Sequence, residues 1–179
     1  MKLYALCDKK VLKDRGISLE EFITISNKYD AQIIQYRNKD GNIGEIERDL
    51  ITIRKSWQKI LILNDYLEFP DLVDGYHIGQ DDLKKYGSIQ VVREKIGRKI
   101  LGLSTHNREE ILEANNLYVD YIGLGAYRNT DTKNISNILG DKVEELSKLS
   151  KHNVAIIGGV KLDDNFKNAE FSVIGSGLL

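Results

Sequence analysis

Short runs of apolar, largely β-branched residues recur along the whole chain and predict its strands. Eight such runs occupy residues 3–7, 32–36, 60–63, 75–78, 100–104, 121–125, 154–157 and 172–175. Within each run the apolar residues follow one another almost without interruption, instead of alternating with polar ones. This pattern is typical of parallel strands that are covered on both faces. We therefore expect a parallel sheet of eight strands.

The segments between these runs predict helices. Ser18 and Glu21 have the spacing of a capping box ahead of a helix over residues 19–28. Apolar residues near helical spacing predict further helices over residues 82–96, 107–115 and 141–149. Eight repeats of strand and helix fit a closed, compact (β/α)8 TIM barrel better than an open sheet, and no glycine-rich dinucleotide fingerprint follows the first strand. The sequence therefore predicts an α/β fold of this type.

The chain is short for such a barrel. TIM barrels usually need about 200–250 residues, whereas this sequence has 179 and ends almost directly after the eighth predicted strand. We expect the last helix to be absent, and the short connections over residues 66–74 and 161–169 predict turns or loops in place of helices three and seven. Leu178 and Leu179 would then pack against a neighbouring subunit, on an apolar flank between the last and first strands of a homo-oligomer.

Length and composition allow one domain over residues 1–179. Apolar residues make up 41% and charged residues 30% of the chain, the balance of a globular protein. The net charge is −1 with both signs interspersed, so nucleic acid is not an expected partner. The single cysteine, Cys7, excludes an internal disulfide and a cysteine-based zinc cage. No signal peptide or membrane-length apolar window is found, and we expect a cytoplasmic protein.

Charged and polar side chains follow the predicted strands, at the end of the barrel where TIM-barrel enzymes place their active sites. Three cations and three hydroxyl donors are expected to converge there: Arg37, Lys39, Lys133, Ser104, Thr130 and Thr132. Such donors suit a phosphate or diphosphate. Asp65 and Asp82 follow adjacent strands, and two carboxylates can hold Mg2+ when substrate phosphates supply further ligands. The sequence therefore predicts a phosphorylated substrate and Mg2+ as the cofactor.

A second anion site is suggested by the glycines at residues 158–159 and 175–177, because loops after strands seven and eight often bind phosphate through backbone N–H groups. Two anion sites suggest two substrates. Alternatives remain open for both sites. The two aspartates could form a static ring of salt bridges with the neighbouring cations, and the glycines could serve only as tight turns.

Two histidines lie close to the predicted site. His106 follows Ser104 at a strand end, where it could contact a ligand and transfer a proton. His77 lies within a predicted strand, and we expect it to be a packed residue rather than a catalyst.

Eight segments, in the same order along the chain, resemble the motifs of the thiamine phosphate synthase family, whose members are (β/α)8 barrels. These segments are LYALCD, IIQYRNK, LILNDY, DGYHIGQDDL, ILGLSTHN, DYIGLGAYRNTDTK, AIIGGV and VIGSG. The resemblance implies a transferase that joins hydroxymethylpyrimidine diphosphate to hydroxyethylthiazole phosphate carboxylate and releases diphosphate. It also implies a dissociative mechanism, in which diphosphate leaves with the help of Mg2+ and cations before the thiazole nitrogen captures the pyrimidine methylene cation.

The same resemblance implies a role for each matching position. Positions that match the pyrimidine diphosphate site are Gln35, Arg37, Lys39, Asn64, Ser104 and Lys133. Positions that match the thiazole phosphate region are Thr130, Asp131, Thr132, Gly159, Gly175 and Ser176. Asp65 and Asp82 match the magnesium ligands. The expected catalytic group comprises Arg37, Lys39, Ser104, His106 and Lys133.

The sequence departs from the family pattern after strand six. The family's Gly-Pro-Ile/Val-Phe/Tyr-Pro run is Gly-Ala-Tyr-Arg-Asn at residues 125–129, so two prolines are lost and a cation is added. A sister branch of thiazole tautomerases uses a histidine at the position of His106, which makes an isomerase the alternative. Retention of Gln35, Asp82 and Thr132 favours the synthase. A second alternative is a barrel that binds thiamine precursors without turnover.

Overall fold

The computed structural model describes residues 1–129 and 138–179 and shows a closed parallel barrel. Its eight strands pair in sequence order, and β1 pairs with β8 to close the barrel. The strands are β1 (Lys2–Asp8), β2 (Ile33–Arg37), β3 (Ile60–Asn64), β4 (Gly75–Ile78), β5 (Ile100–Thr105), β6 (Tyr121–Leu124), β7 (Asn153–Ile156) and β8 (Phe171–Ile174). Each coincides with a predicted apolar run to within a residue at either end, and the predicted (β/α)8 TIM barrel is confirmed.

Seven α-helices lie around the barrel in the described ranges. They are α1 (Lys9–Arg15), α2 (Leu19–Lys28), α3 (Ile43–Ser56), α4 (Gln80–Tyr86), α5 (Ile89–Ile96), α6 (Arg108–Ala114) and α7 (Lys142–Ser147). The predicted capping box opens α2, because the Ser18 hydroxyl accepts a hydrogen bond from the Glu21 N–H while the Glu21 carboxylate accepts one from the Ser18 N–H. Residues 66–74 and 161–169, which are fully described, contain no helix, as expected.

The single helix predicted over residues 82–96 is wrong. Two helices occupy this region, and the chain breaks between them at Gly87, whose φ of 94° lies outside the range that residues with a Cβ readily adopt. Ser88 then caps α5 by accepting a hydrogen bond from the Val91 N–H. Because α4 begins directly after β4, the acidic residues of its first turn reach the mouth of the barrel.

Alternating strand residues divide the core into two layers. Inward-facing side chains, among them Tyr4, Ile62 and Tyr121, fill the lower part of the barrel, and outward-facing ones pack against the helices. Because side chains two apart point the same way, Gln35 and Arg37 follow Ile33 into the lumen. The lumen therefore changes from apolar to polar towards the C-terminal ends of the strands.

The described residues contain no α-helix after β8. A single 3-10 turn, Ser176–Leu178, follows β8, and Arg15 of α1 donates hydrogen bonds to the carbonyl oxygens of Ser176 and Leu179. Leu178 is only 5% exposed and belongs to the main core, and Leu179 packs against it. The expectation that Leu178 packs against a neighbouring subunit is therefore wrong, because this chain's own core covers it. Leu179 is only partly buried, and its contact with a neighbouring subunit stays a prediction.

Candidate active site

A cavity of about 680 Å³ opens at the C-terminal ends of the strands. Its volume lies within the range of small-molecule sites in enzymes. The structure brings eleven of the predicted site residues to its walls: Gln35, Arg37, Lys39, Asn64, Asp65, Asp82, Ser104, His106, Gly159, Gly175 and Ser176. The other four predicted residues, Thr130, Asp131, Thr132 and Lys133, lie outside the described residues.

Two carboxylates meet on one side of the mouth. Asp65 follows β3 with a φ of 69°, and its N–H donates a hydrogen bond to the carbonyl oxygen of His77. Asp82 lies in the first turn of α4, where it accepts a hydrogen bond from the Gly79 N–H. Burial, and then the charge of Asp82 and a hydrogen bond to it, raise the pKa of Asp65 to about 6. The two carboxylates therefore repel each other when both are ionised.

This pair has the chemistry of a Mg2+ site. Carboxylate oxygens are the ligands that Mg2+ prefers, and a divalent cation between the two groups would relieve their repulsion. The described residues contain no cluster of three or more metal-ligating side chains. A metal here would thus take two carboxylates from the protein and its remaining ligands from water or substrate oxygens.

The two described cations of the predicted diphosphate site are held differently. Arg37 forms a hydrogen-bonded ion pair with Asp8, a buried residue that also caps α1 by accepting from the N–H groups of Lys10 and Val11. Lys39 lies 3.9 Å from the nearer carboxylate oxygen of Asp65, and its side chain is 55% exposed. The static ring of salt bridges considered from the sequence is thus only partly present, because Arg37 pairs with Asp8 and Lys39 touches Asp65 only loosely.

The wall across the cavity from the two aspartates is formed mainly by the backbone of the loops after β7 and β8. Gly158 and Gly159 have φ values of 91° and 65°, and a Cβ on Gly159 would lie 2.7 Å from the carbonyl oxygen of Asn129. Glycine is required here both by the left-handed backbone and by the close approach of the β6 loop. Gly175 and the 3-10 turn after it complete this wall.

Arg128, the cation that the loop after β6 has in addition to the family pattern, stabilises this wall. Both terminal guanidinium nitrogens of Arg128 donate to the carboxylate of Asp164, at 2.6 and 2.8 Å. The N–H groups of Tyr127 and Arg128 donate to the carbonyl oxygens of Ile157 and Gly158. The loop that lacks the two family prolines is therefore held by a bidentate ion pair and by backbone hydrogen bonds to the β7 loop.

The two histidines differ in their surroundings. His106 lies at the mouth, where its Nδ1 and its backbone N–H both contact the same carboxylate oxygen of Glu110, at 2.9 and 2.8 Å. His77 is buried, and burial lowers its pKa to about 4, so the imidazole is neutral. As predicted, His77 is packed, but it also reaches the lumen and hydrogen-bonds Ser104 through Nε2 at 2.9 Å.

Sequence reasoning missed several residues of the cavity and of the layer beneath it: Tyr4, Asp8, His77, Tyr121, Arg128 and Lys161. Asp8 is the last residue of β1, and the rule that functional groups follow strands could have found it. Tyr4 and Tyr121 lie within apolar runs, where a tyrosine gives no separate signal.

The described helices include none that is long and apolar enough to cross a membrane.

Comparison with known proteins gives concordant matches. A family described as "Thiamine monophosphate synthase" matches residues 3–174. The thiamine-phosphate synthase of Persephonella marina is 36% identical over 169 residues, which cover 89% of this chain and 77% of that protein. That of Clostridium acetobutylicum is 34% identical over 186 residues, covering 97% and 83%. Among solved structures, the thiamine phosphate pyrophosphorylase from Pyrococcus furiosus superimposes with a TM-score of 0.78 at 23% identity, covering 98% of this chain and 87% of that one, which supports the fold.

Proposed function

The chain belongs to the thiamine monophosphate synthase family, and we propose that it joins hydroxymethylpyrimidine diphosphate to hydroxyethylthiazole phosphate or its carboxylate. The products are thiamine phosphate and diphosphate. The observation that carries this proposal is the pair of facing carboxylates, Asp65 and Asp82, beside Arg37 and Lys39 at one mouth. Such a wall suits a leaving diphosphate and its metal ion.

The wall of the cavity that carries Asp65, Asp82, Arg37 and Lys39 would bind the diphosphate. Asp65 and Asp82 would hold Mg2+, which supplies positive charge to the phosphate oxygens when it is bound. Arg37 is oriented by Asp8, so its guanidinium needs little reorganisation to meet an anion. Lys39 has only its loose contact with Asp65 to give up. Charge that develops on the departing diphosphate would thus meet Arg37, which Asp8 holds in place, and the exposed ammonium of Lys39.

The glycine wall would bind the second substrate. Gly159, Gly175 and Ser176 line the same cavity across from the carboxylates, where backbone N–H groups can approach a phosphate closely. The two walls share one cavity of about 680 Å³. Two small phosphorylated molecules could therefore lie with their reacting atoms towards each other, which is the arrangement that a coupling reaction needs.

The test is incubation of the purified protein with Mg2+ and both substrates, with thiamine phosphate and diphosphate measured as products. Formation of both that depends on Mg2+ is the expected result. Absence of product while both substrates bind would refute the synthase.

A thiazole tautomerase is the second candidate, and the contact between His106 and Glu110 favours it specifically. A carboxylate on Nδ1 fixes the orientation of the imidazole, which suits proton transfer through the other ring nitrogen. The same incubation without the pyrimidine substrate distinguishes the two activities. Isomerisation of a thiazole phosphate precursor that is lost in His106→Ala, without coupling, would establish the tautomerase instead.

A further inference from the structure

Six polar side chains form one continuous path of hydrogen bonds beneath the cavity, which we call the floor relay. Its members, in order, are Asn64, Gln35, Tyr4, Tyr121, His77 and Ser104. The five successive contacts measure 2.6, 2.7, 2.8, 3.0 and 2.9 Å. The path crosses the barrel from the end of β3 to the end of β5.

The direction of each bond follows from the one before it. Gln35 donates through Nε2 to Asn64, so its Oε1 accepts the proton of the Tyr4 hydroxyl. A tyrosine hydroxyl has a single proton, and Tyr4 must therefore accept at its contact with Tyr121. By the same rule, Tyr121 donates to Tyr4 and has only an acceptor left for the next member.

The next member is His77, whose Nδ1 must then be the protonated nitrogen that donates to Tyr121. A neutral imidazole carries one proton, so Nε2 is the acceptor of the bond with Ser104. The hydroxyl proton of Ser104 is consequently directed at His77. In this state Ser104 presents lone pairs to the cavity and has no proton to offer to a phosphate oxygen.

The barrel wall leaves specific room for this path. A Cβ on Gly102 would lie 2.4 Å from the hydroxyl oxygen of Tyr121 and 2.5 Å from Nδ1 of His77. The glycine at this position of β5 is therefore necessary for the hydrogen bond between Tyr121 and His77. Tyr4, Tyr121 and His77 are all buried, and an unpaired polar atom among them would be costly.

We propose that the floor relay is a two-state switch: an anion that accepts a hydrogen bond from the Ser104 hydroxyl, which keeps its proton, reverses the direction of all five hydrogen bonds. Reversal moves the imidazole proton of His77 to Nε2 and turns over the amides of Gln35 and Asn64. It is the response that leaves every buried polar atom of the relay paired. The switching role rests on the proposed function, since diphosphate is the anion expected at Ser104.

Reversal would change which hydrogen-bonding atom Asn64 presents to a ligand in the cavity. Before it, the oxygen of the Asn64 amide accepts from Gln35 and its nitrogen is directed elsewhere. After it, the Asn64 nitrogen donates to Gln35, and its oxygen is available to accept a hydrogen bond in the cavity. Tyr4, Tyr121 and His77 would thus act as positioning residues that couple an anion at Ser104 to recognition of an N–H donor at Asn64.

Nitrogen-15 NMR of the histidine side chains in the whole protein tests the floor relay directly, with His106→Gln and His152→Gln variants to assign the signals. We expect Nδ1 of His77 to carry the proton in the free protein, and Nε2 to carry it when Mg2+ and inorganic diphosphate are saturating. Calorimetry follows diphosphate binding independently.

Tyr121→Phe removes the acceptor that keeps the His77 proton on Nδ1, so Nε2 should carry the proton already in the free protein and diphosphate should cause no change. Tyr4→Phe frees the Tyr121 hydroxyl to donate to Nδ1 and should have the same effect if the first variant does not fold. Tyr76→Phe is the matched control, because its buried hydroxyl donates to the carbonyl oxygen of Glu68 outside the relay. In this control, diphosphate should move the His77 proton from Nδ1 to Nε2 as it does in the unchanged protein. The proposal is overturned if Nε2 carries the proton in the free protein, or if bound diphosphate leaves the tautomer unchanged. If diphosphate does not bind, the proposed function fails with the switching role, while the free-state tautomer still decides the direction of the bonds.

Discussion

The two ends of the barrel use charged residues in opposite ways. At the N-terminal ends of the strands, Arg93 of α5 donates to the carbonyl oxygens of Tyr118 and Lys99 and to the carboxylate of Asp120, which also accepts the N–H of Leu101. Arg54 of α3 makes the same set of contacts two repeats earlier, with Asp74 as the carboxylate. Each of these four charged side chains has a close partner.

At the C-terminal ends, Asp65 and Asp82 face each other, and the nearest described cation to Asp65 is 3.9 Å away. Charges that are paired at one end stabilise the fold, whereas charges left facing a like charge at the other end are available to a ligand. The difference shows that unsatisfied electrostatics, more than the presence of charge, marks the candidate site. Substitutions at the two ends should therefore affect different properties.

The largest difference is expected between two lysines. Lys39→Ala should lower turnover by about 100-fold, because it removes a cation that we propose stabilises the leaving diphosphate. Lys59→Ala is the matched control at the other end, where the ammonium donates to Asp30 and to the carbonyl oxygen of Ala31. The control should keep its turnover within a few-fold. Equal losses in steady-state assays of both variants would contradict the assignment.

The reverse effect is expected for Arg93→Ala. Loss of its hydrogen bonds should lower the free energy of unfolding by about 1–2 kcal/mol, since bonds to charged groups contribute more than neutral ones. Turnover by the folded variant should stay within about twofold of the unchanged protein, because the site lies at the other end. Urea unfolding and activity assays on the same preparations would measure both. If Arg93→Ala lost activity while its free energy of unfolding stayed unchanged, the claim that charges at this end serve stability would be contradicted.

A smaller effect is expected at the glycine wall. Gly159→Ala should raise the KM for the thiazole phosphate about tenfold, because the new Cβ pushes the β6 loop away, while the KM for the pyrimidine substrate changes little. Gly16→Ala is the matched control, with the same φ of 65° and no atom within 4 Å of the added Cβ. It should cost stability only. A rise in both KM values would assign Gly159 to the whole cavity instead.

The smallest effect concerns stability and pH. The pKa of Asp65 is raised from 3.8 to about 6, so between these pH values the folded protein binds more protons than the unfolded chain, and stability falls as pH rises. Without Mg2+, Asp65→Asn should remove this fall and raise the free energy of unfolding at pH 8 by on the order of 1 kcal/mol. Asparagine also suits a positive φ, but that gain does not depend on pH. An unchanged pH profile in urea unfolding would contradict the raised pKa.

The strands could be predicted from the sequence because parallel strands covered on both faces need nearly continuous apolar runs. Lys39, Asp65 and Asp82 could be placed at one mouth for a related reason, since polar residues that follow such strands have only one end of the barrel to occupy. The break at Gly87 was missed because the apolar spacing continues in phase across it.

Other features depend on contacts between distant segments. The pairing of Arg37 with Asp8 requires the register of β1 on β2, which places these two residues side by side. The floor relay requires the absence of a side chain at Gly102, and Tyr121 and His77 belong to different strands on either side of it. The covering of Leu178 depends on the folded core around the C-terminal turn. No local pattern carries this information.

The most direct test of the central claim is the dependence of turnover on Mg2+ in Asp82→Asn and Asp81→Asn. The two aspartates are adjacent in α4, but the side chain of Asp81 is fully exposed and lies 3.6 Å from Lys84. We expect Asp82→Asn to lose about 100-fold in turnover at a fixed Mg2+ concentration and to need more Mg2+ for half-maximal rate, while Asp81→Asn behaves like the unchanged protein. The same Mg2+ dependence in both variants, or turnover that does not respond to Mg2+, would contradict the claim that the unsatisfied carboxylates at this end hold the metal for the diphosphate.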